Sequence, residues 1–232
     1  MVKDKSEKHE YSKNISELRY VCKIAFDKGL LDTHSGNIST EINKKILITK
    51  TGRSLINLKR SDFTAVPLNQ NLNKKRPGLT DNVASSELEI HKFILKSFPG
   101  STVLHSHPLN AIALSICLDK IKKHDKFSSS PQAVKNIYKI YPDLNKITPV
   151  DFESAYFFPE IYVMPLQLIE DIKSGKFMPK LEAKDIFKEN GVFMIKSHGS
   201  FSWGKTPLDA LRWTMALEAS SKIILKLNSL SS

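Results

Sequence analysis

Apolar positions along this chain recur with two different periods, and the changes between them mark out its elements. Ile15, Leu18, Val21, Cys22, Ala25 and Phe26 follow helical spacing. Asn14 with Glu17 three residues later predicts the start of that helix, and Gly29 its end. Ile90, Phe93, Ile94 and Phe98 form a second helical stripe, opened by a Ser86–Glu89 capping box and closed by Pro99-Gly100. The run after Pro108, LNAIALSI, predicts a third helix, and TPLDALRWTMALEASSKIILKL a closing one with Thr206 as N-cap and Pro207 in its first turn. Short apolar runs predict strands in KILITK, TVLHSH, EIYVMPL, GVFMIKSHG and FSW. Residues 1–14 are charged and read as a flexible N-terminus, NLNKKRPGLTDN as a loop, and the lysine- and serine-rich segment 119–147 as a surface insertion with one short helix. Helices and strands are interspersed without internal repeat. The expectation is therefore one α/β layered domain over residues 15–232.

Composition narrows the class. With 41% hydrophobic and 25% charged residues among 232, a packed soluble domain is feasible. No apolar run approaches the ~18 residues of a membrane span, and the first residues, MVKDKSEKHEYSKN, lack the apolar stretch of a secretory leader. The expected location is cytoplasmic, with no membrane partner. Cys22 and Cys117 lie far apart among apolar neighbours and read as small buried hydrophobes, not as a zinc motif. The formal charge of +11 comes mostly from scattered lysine. It forms no arginine-rich stripe with interleaved aromatics, so nucleic acid is not the expected partner; attraction of an anionic substrate, or compositional drift in a chain also rich in Ile and Asn, is open as the cause.

Candidate chemistry begins at His105 and His107. In a strand, residues i and i+2 share a face, so these two imidazoles stand side by side where the strand TVLHSH meets Pro108. Such a pair either chelates a metal or lies at a strand end with no further role. Catalytic zinc takes three protein ligands and an open position. His9, His34, His91, His124 and His198 are the candidates for the third. His9 falls in the charged N-terminus and His124 in the polar insertion. His198 repeats the setting of the pair, ending an apolar strand just before Gly199. In SSELEIH, Glu89 is accounted for by the capping box, whereas Glu87 is either a favourable charge at a helix start or a group facing the preceding loop. HSGN at 34–37, KTGRS at 50–54 and Ser85-Ser86 offer hydroxyls and backbone N–H groups of the kind that hold phosphate, or simple turns. None matches a P-loop or a dinucleotide fingerprint.

In order, SGNIS, TKTG, SSE at a helix start, H-x-H-P, and HG followed by FSWG resemble the class II aldolase/adducin family, over about residues 15–227. This family includes fuculose- and rhamnulose-phosphate aldolases, a ribulose-phosphate epimerase, a methylthioribulose-phosphate dehydratase and the adducin head domain. The resemblance implies a three-layer α/β domain with a largely antiparallel central sheet flanked by helices. It also implies a homotetramer with sites at subunit interfaces. It implies that His105, His107 and His198 hold one Zn2+ or similar divalent ion per chain, with Glu87 as a further metal contact and the acid/base group. Asn37, Thr51, Gly52, Ser85 and Ser86 then bind the substrate phosphate. The implied reaction is cleavage of a phosphorylated ketose to dihydroxyacetone phosphate and an aldehyde. The alternatives are a dehydratase using Glu153, or an adducin-like interaction domain. The tail LNSLSS lacks the tyrosine that assists the fuculose enzymes, which leaves Tyr138, Tyr141, Tyr156 and Tyr162 as substitutes.

Overall fold

The computed structural model describes residues 2–33, 35–69, 84–118, 127, 130–158, 160–176 and 182–230. In chain order the elements are α1 (Val2–Asp27), β1 (Asn37–Ile42), β2 (Lys45–Thr49), β3 (Phe63–Pro67), α2 (Leu88–Ser97), β4 (Thr102–Ser106), α3 (Leu109–Cys117), α4 (Gln132–Ile140), β5 (Asn145–Ile147), α5 (Phe152–Phe157), β6 (Ile161–Met164), α6 (Leu166–Ser174), β7 (Gly191–Ile195), β8 (Gly199–Gly204) and α7 (Pro207–Leu230). Among the described residues eight strands form one sheet in the order β3-β2-β1-β4-β8-β7-β6-β5. β6 and β7 pair in parallel; the other neighbours are antiparallel. The α/β layered domain expected from the sequence is thus observed, with the largely antiparallel, helix-flanked sheet that the resemblance implies.

Alternation along each strand divides the core into two layers. Ile46, Ile48, Val103, Phe193, Phe201 and Trp203 face Ile90, Ile94 and Leu95 of α2, Val134 and Ile137 of α4, and Leu168 and Ile169 of α6. Their sequence neighbours point the other way. Ile38, Leu47 and Leu104 pack under α1 and the start of α7, while Val192 and Met194 meet α3 and Leu217 of α7. The α7 start is fixed by a reciprocal cap: Thr206 Oγ1 accepts from Asp209 N (3.1 Å), and Asp209 Oδ2 accepts from Thr206 N (3.1 Å). Among the described residues no helix is long and apolar enough to cross a membrane.

Several expectations are corrected. α1 runs back to Val2, so Asn14 is not an N-cap; it lies mid-helix, where its Nδ2 donates to the Glu10 carbonyl at 2.9 Å. The lysines and glutamates before it are good helix formers without proline or glycine, and they extend the helix instead of fraying. At its other end Gly29 takes a left-handed φ of 71°, as expected of a C-cap. The Ser86–Glu89 capping box does not form. Glu87 occupies the α2 N-cap position, and Glu89 pairs with the buried Lys92 at 2.6 Å. Within 119–147, α4 is the expected short helix, but Val134, Ile137 and Leu144 are buried in the core and Asn145–Ile147 supplies the sheet's edge strand. The described part of that segment is therefore structural and does not merely cover the surface. Cys22 is fully buried and its thiol is pushed up to about 12, whereas Cys117 is only half-buried. The predicted loop over 71–82, His34 and His124 lie outside the described residues.

Candidate functional site

The sheet's central strands end at one cavity, and their register decides what faces it. Asn37 on β1 stands opposite His105 on β4, which stands opposite Phe201 on β8. All three point toward α2, because Ile38 and Leu104 between them point away. His107 lies just past the strand, its backbone N–H donating to the Leu30 carbonyl at 2.9 Å. His198 comes from the three-residue hairpin between β7 and β8, where Ser197 takes a left-handed φ of 59°. Glu87 is held at the N-cap of α2.

Two glycines allow this approach. A Cβ on Gly36, whose φ is +92°, would sit 2.8 Å from the His105 carbonyl oxygen and 2.6 Å from Leu31 Cδ2. A Cβ on Gly199 would lie 2.6 Å from Ser106 O, 2.7 Å from His107 Cδ2 and 2.9 Å from His105 Cε1.

One nitrogen from each of His105, His107 and His198 lies within 4.8 Å of the others. His105 and His107 bring their Nε2 atoms to 3.0 Å. Tetrahedral Zn–N bonds of about 2.0–2.1 Å place neighbouring nitrogens about 3.3 Å apart, so the spacing suits a divalent ion. The donor chemistry fits as well. His105 Nδ1 donates to the Ser200 carbonyl at 2.9 Å, which leaves Nε2 with its lone pair toward the cluster. Burial pushes His105 down to about 3 and lowers His107 below the ordinary imidazole value, so both are neutral, as ligands must be.

Glu87 lies against the same cluster, with Oε1 3.1 Å from His198 Nε2 and Oε2 3.2 Å from His105 Nε2. Burial pushes its carboxyl up. The hydrogen bond from His198, the His105 ring and the Asn37 amide together outweigh that and hold it well below the usual carboxylate range. Asn37 Nδ2 donates to Oε2 at 2.7 Å. Beyond Asn37 lies a buried pair, with His91 Nε2 bonded to Asn37 Oδ1 and His91 Nδ1 2.7 Å from Ser39 Oγ.

Beside these groups is a cavity of about 330 Å³ lined by Ser35, Gly36, Asn37, Lys50–Arg53, Ser85–Glu87, His105, His107 and His198. Its rim is assembled by pairing two segments distant in sequence. Lys50 bridges to Ala84, Ser85 N donates to the Thr49 carbonyl at 3.2 Å, and Thr51 Oγ1 donates to Ala84 O at 2.9 Å. Ser85 Oγ accepts from Glu87 N at 3.3 Å, which leaves its own hydrogen to donate. The rim is thus rich in donors, with Lys50 and Arg53 adding positive charge, and suits an anionic group.

Every residue expected at the site, Asn37, Thr51, Gly52, Ser85, Ser86, Glu87, His105, His107 and His198, meets at this cavity. Glu153 does not; it is exposed on α5, away from the described lining residues. The tyrosines do not either. Tyr141 donates to Asp171 at 2.7 Å, Tyr138 packs against the core, Tyr162 lines another cavity, and Tyr156 is 79% exposed. Lys50 and Arg53 come from the KTGRS segment expected to face phosphate; the sequence assigns no role to Ser39 or Phe201, and to His91 only that of a candidate third metal ligand. The signal for His91 was its position four residues after Glu87, on the same helix face.

Residues 16–225 match the model of the class II aldolase and adducin N-terminal domain. An L-fuculose phosphate aldolase of Methanocaldococcus jannaschii is 23% identical over 206 residues, 88% of this chain and 92% of that protein. Among solved structures, the L-fuculose-1-phosphate aldolase of Thermus thermophilus superposes with a TM-score of 0.63 at 21% identity, covering 93% of this chain and 94% of that one. A sugar-phosphate aldolase of Thermotoga maritima gives 0.61 at 19%, covering 95% and 97%. At such identities the structural likeness concerns the fold. Together with the family match over most of its length, it leaves one conclusion: the chain belongs to the class II aldolase/adducin family.

Proposed function

We propose that this protein is a divalent-metal-dependent lyase that cleaves a phosphorylated ketose, of the fuculose-1-phosphate type, to dihydroxyacetone phosphate and an aldehyde. The observation that carries the reading is the meeting, in one cavity, of three clustered imidazoles, an ionised carboxylate and a donor-rich anion rim. A pure interaction domain needs none of these.

His105, His107 and His198 would hold the ion, zinc being the natural choice for an all-imidazole set. When bound, the ion supplies Lewis-acid polarisation of the substrate carbonyl. The protein's residues do the rest. The rim of Asn37, Thr51, Gly52, Ser85 and Ser86 holds the phosphate at a distance from the reacting carbons, so its binding energy is spent on orientation. Thr51 already donates its hydroxyl hydrogen to Ala84, so Ser85 and Ser86 are the better hydroxyl donors. In cleavage the Glu87 carboxylate takes up the hydroxyl proton released as the aldehyde forms, directly or through water, and delivers it to the carbon left by the broken bond; in the reverse condensation the carboxylate removes that carbon-bound proton and returns it to the new hydroxyl. The same residue is also the cluster's fourth contact in the absence of substrate. In the metal-free protein its hydrogen bonds, chiefly that from His198, keep it ionised; with an ion bound to His198, the Asn37 amide remains as its donor.

Homotetrameric assembly in the cytoplasm belongs to the same proposal. Exposed Phe152, Tyr156 and Leu109 on α5 and α3 support burial against another copy. Light scattering should give about four times the 26.2 kDa chain mass, and a clean monomer would count against it.

The decisive experiment pairs metal analysis with product identification. Protein purified without added metal should carry about one divalent ion per chain, lost in His105→Ala. A sugar-phosphate screen should yield dihydroxyacetone phosphate, and Glu87→Gln should abolish turnover with the metal retained. A product lighter than substrate by one water would replace cleavage with dehydration.

A further inference from the structure

The His91 imidazole is fully buried yet lies outside the metal cluster, and no step above uses it. Its bonds form a chain with one permitted direction. The Glu87 carboxylate only accepts, so the Asn37 group facing it at 2.7 Å is the NH2 end of the amide. Asn37 Oδ1 then faces His91 Nε2, which must carry the proton. His91 Nδ1 is left as an acceptor, and Ser39 Oγ, 2.7 Å away, must donate to it. Every hydrogen along Ser39–His91–Asn37 points toward Glu87. Ser39, His91, Asn37 and Glu87 are each at most 9% exposed, so water does not compete for these bonds. Three elements hold the chain in place. Asn37 and Ser39 share one face of β1, and Glu87 and His91 share one face of α2 a turn apart. The ring of Phe201 on β8 meets His91 edge-on at 5.6 Å and stacks on His105 at 4.3 Å.

We infer that His91 is a positioning residue: through Asn37 it fixes the Glu87 carboxylate for proton transfer, and Ser39 fixes His91. The inference rests on the function proposed above for Glu87. It also gives Asn37 two duties. One amide hydrogen and the oxygen hold Glu87 and His91, and the second hydrogen remains for an anion in the cavity. An amide flip would break both bonds at once, so the glutamate's placement and the anion rim are tied through one side chain.

Two measurements test this. The first needs neither metal nor substrate: long-range proton–nitrogen NMR of the purified protein should show His91 as the Nε2–H tautomer. An Nδ1–H tautomer would overturn the chain's direction and the inference with it. The second compares His91→Gln, whose amide nitrogen can still donate to Asn37, with His91→Leu, which cannot. We expect His91→Leu to lower kcat about 10–100-fold, as lost outer-sphere hydrogen bonds do. Zinc stoichiometry should stay near wild type, any rise in KM should be well below the fall in kcat, and His91→Gln should recover most of the rate. Folded variants equally impaired, or a Leu variant with full kcat, would reduce His91 to a packing residue and refute the inference. Failure of the wild type to cleave any sugar phosphate would instead remove the proposed activity, and the tautomer measurement would still decide the chain's direction.

Discussion

Gly199 touches the site through an atom it lacks, and Gly199→Ala tests whether the three imidazoles depend on that space. The added Cβ would stand 2.7 Å from His107 Cδ2 and 2.9 Å from His105 Cε1. Comfortable carbon–carbon contact begins near about 3.5 Å, so the shortfalls are roughly 0.6–0.8 Å. It would also stand 2.6 Å from the Ser106 carbonyl, which is backbone and cannot swing aside. Parting β4 from β8 would break the Ser106–Ser200 register and the hydroxyl bond of 3.0 Å between their side chains. The rings must therefore move. Forcing a methyl into packed surroundings costs about 1–3 kcal/mol, or roughly 2–12 °C in Tm for a domain of this size. Metal binding should suffer more, because ligand distances tolerate only about 0.2 Å; a weakening of at least ~10-fold in zinc affinity is expected. Competition with a chromophoric chelator, alongside thermal melts with and without zinc, measures both quantities. Gly175→Ala is the control. Gly175 has φ +71° with nothing near the new Cβ, so it should lose about 1–2 kcal/mol with zinc affinity unchanged. A Gly199→Ala protein with wild-type zinc affinity would refute the argument that these contacts set the ring positions.

Further expectations concern acid, the packing behind His105 and a helix cap. Burial holds His91 at about 4 and His105 at about 3, against 6.5 for a free imidazole, so only the unfolded chain takes up protons as the pH first drops below 6.5. The stability of metal-free protein should then be full above pH 6.5 and decline below it, by about 3 kcal/mol for each histidine near pH 4. Glu87, with its lowered carboxyl, acts in the same direction. Urea midpoints across that range should fall steadily, and a flat profile would contradict the burial of neutral imidazoles. Phe201→Ala removes the ring stacked on His105 and should cost about 3–5 kcal/mol by chemical denaturation; a loss under ~1 kcal/mol would show that the core behind His105 is not close-packed. Thr206→Ala deletes half of the reciprocal α7 cap and should cost about 1 kcal/mol, with zinc affinity untouched.

The sequence showed most clearly those elements whose burial is apolar. α2, α7, β2, β4, β6 and β7 follow their hydrophobic periods, and His105, His107 and His198 stood out because they interrupt apolar strands at their ends. The sequence does not mark β1 as a strand, for the opposite reason. Asn37 and Ser39, on its face toward α2, are buried but polar, since their partners are Glu87 and His91 and not core side chains. Hydrophobic patterning cannot distinguish such a strand from a loop. α5 and α6 were missed because they are short and keep Phe152 and Leu166 exposed, which blurs the apolar stripe. The approach of His198 to His107, far apart along the chain, is a product of sheet pairing, which no local period encodes. The motif order of the family carried that part of the reading.

The row Asn37–His105–Phe201, one residue from each of three adjacent strands, also sets how this chain can change over evolutionary time. Inserting or deleting one residue within β4 would turn Leu104 and Ser106 toward the cavity and send His105 under α7, erasing the centre in a single step. The segments between strands carry no such parity. They can lengthen, shorten and exchange side chains while the row stays in place. Mutational scanning should accordingly find single-residue indels lethal to function inside β1, β4 and β8, equally so in the β7–β8 hairpin with His198 and at the α2 start with Glu87, and tolerated in connections that carry no cavity residue. New substrate preferences are then expected to arise from those tolerant connections, with the strands, the β7–β8 hairpin and the α2 start keeping the imidazole cluster and its glutamate in place.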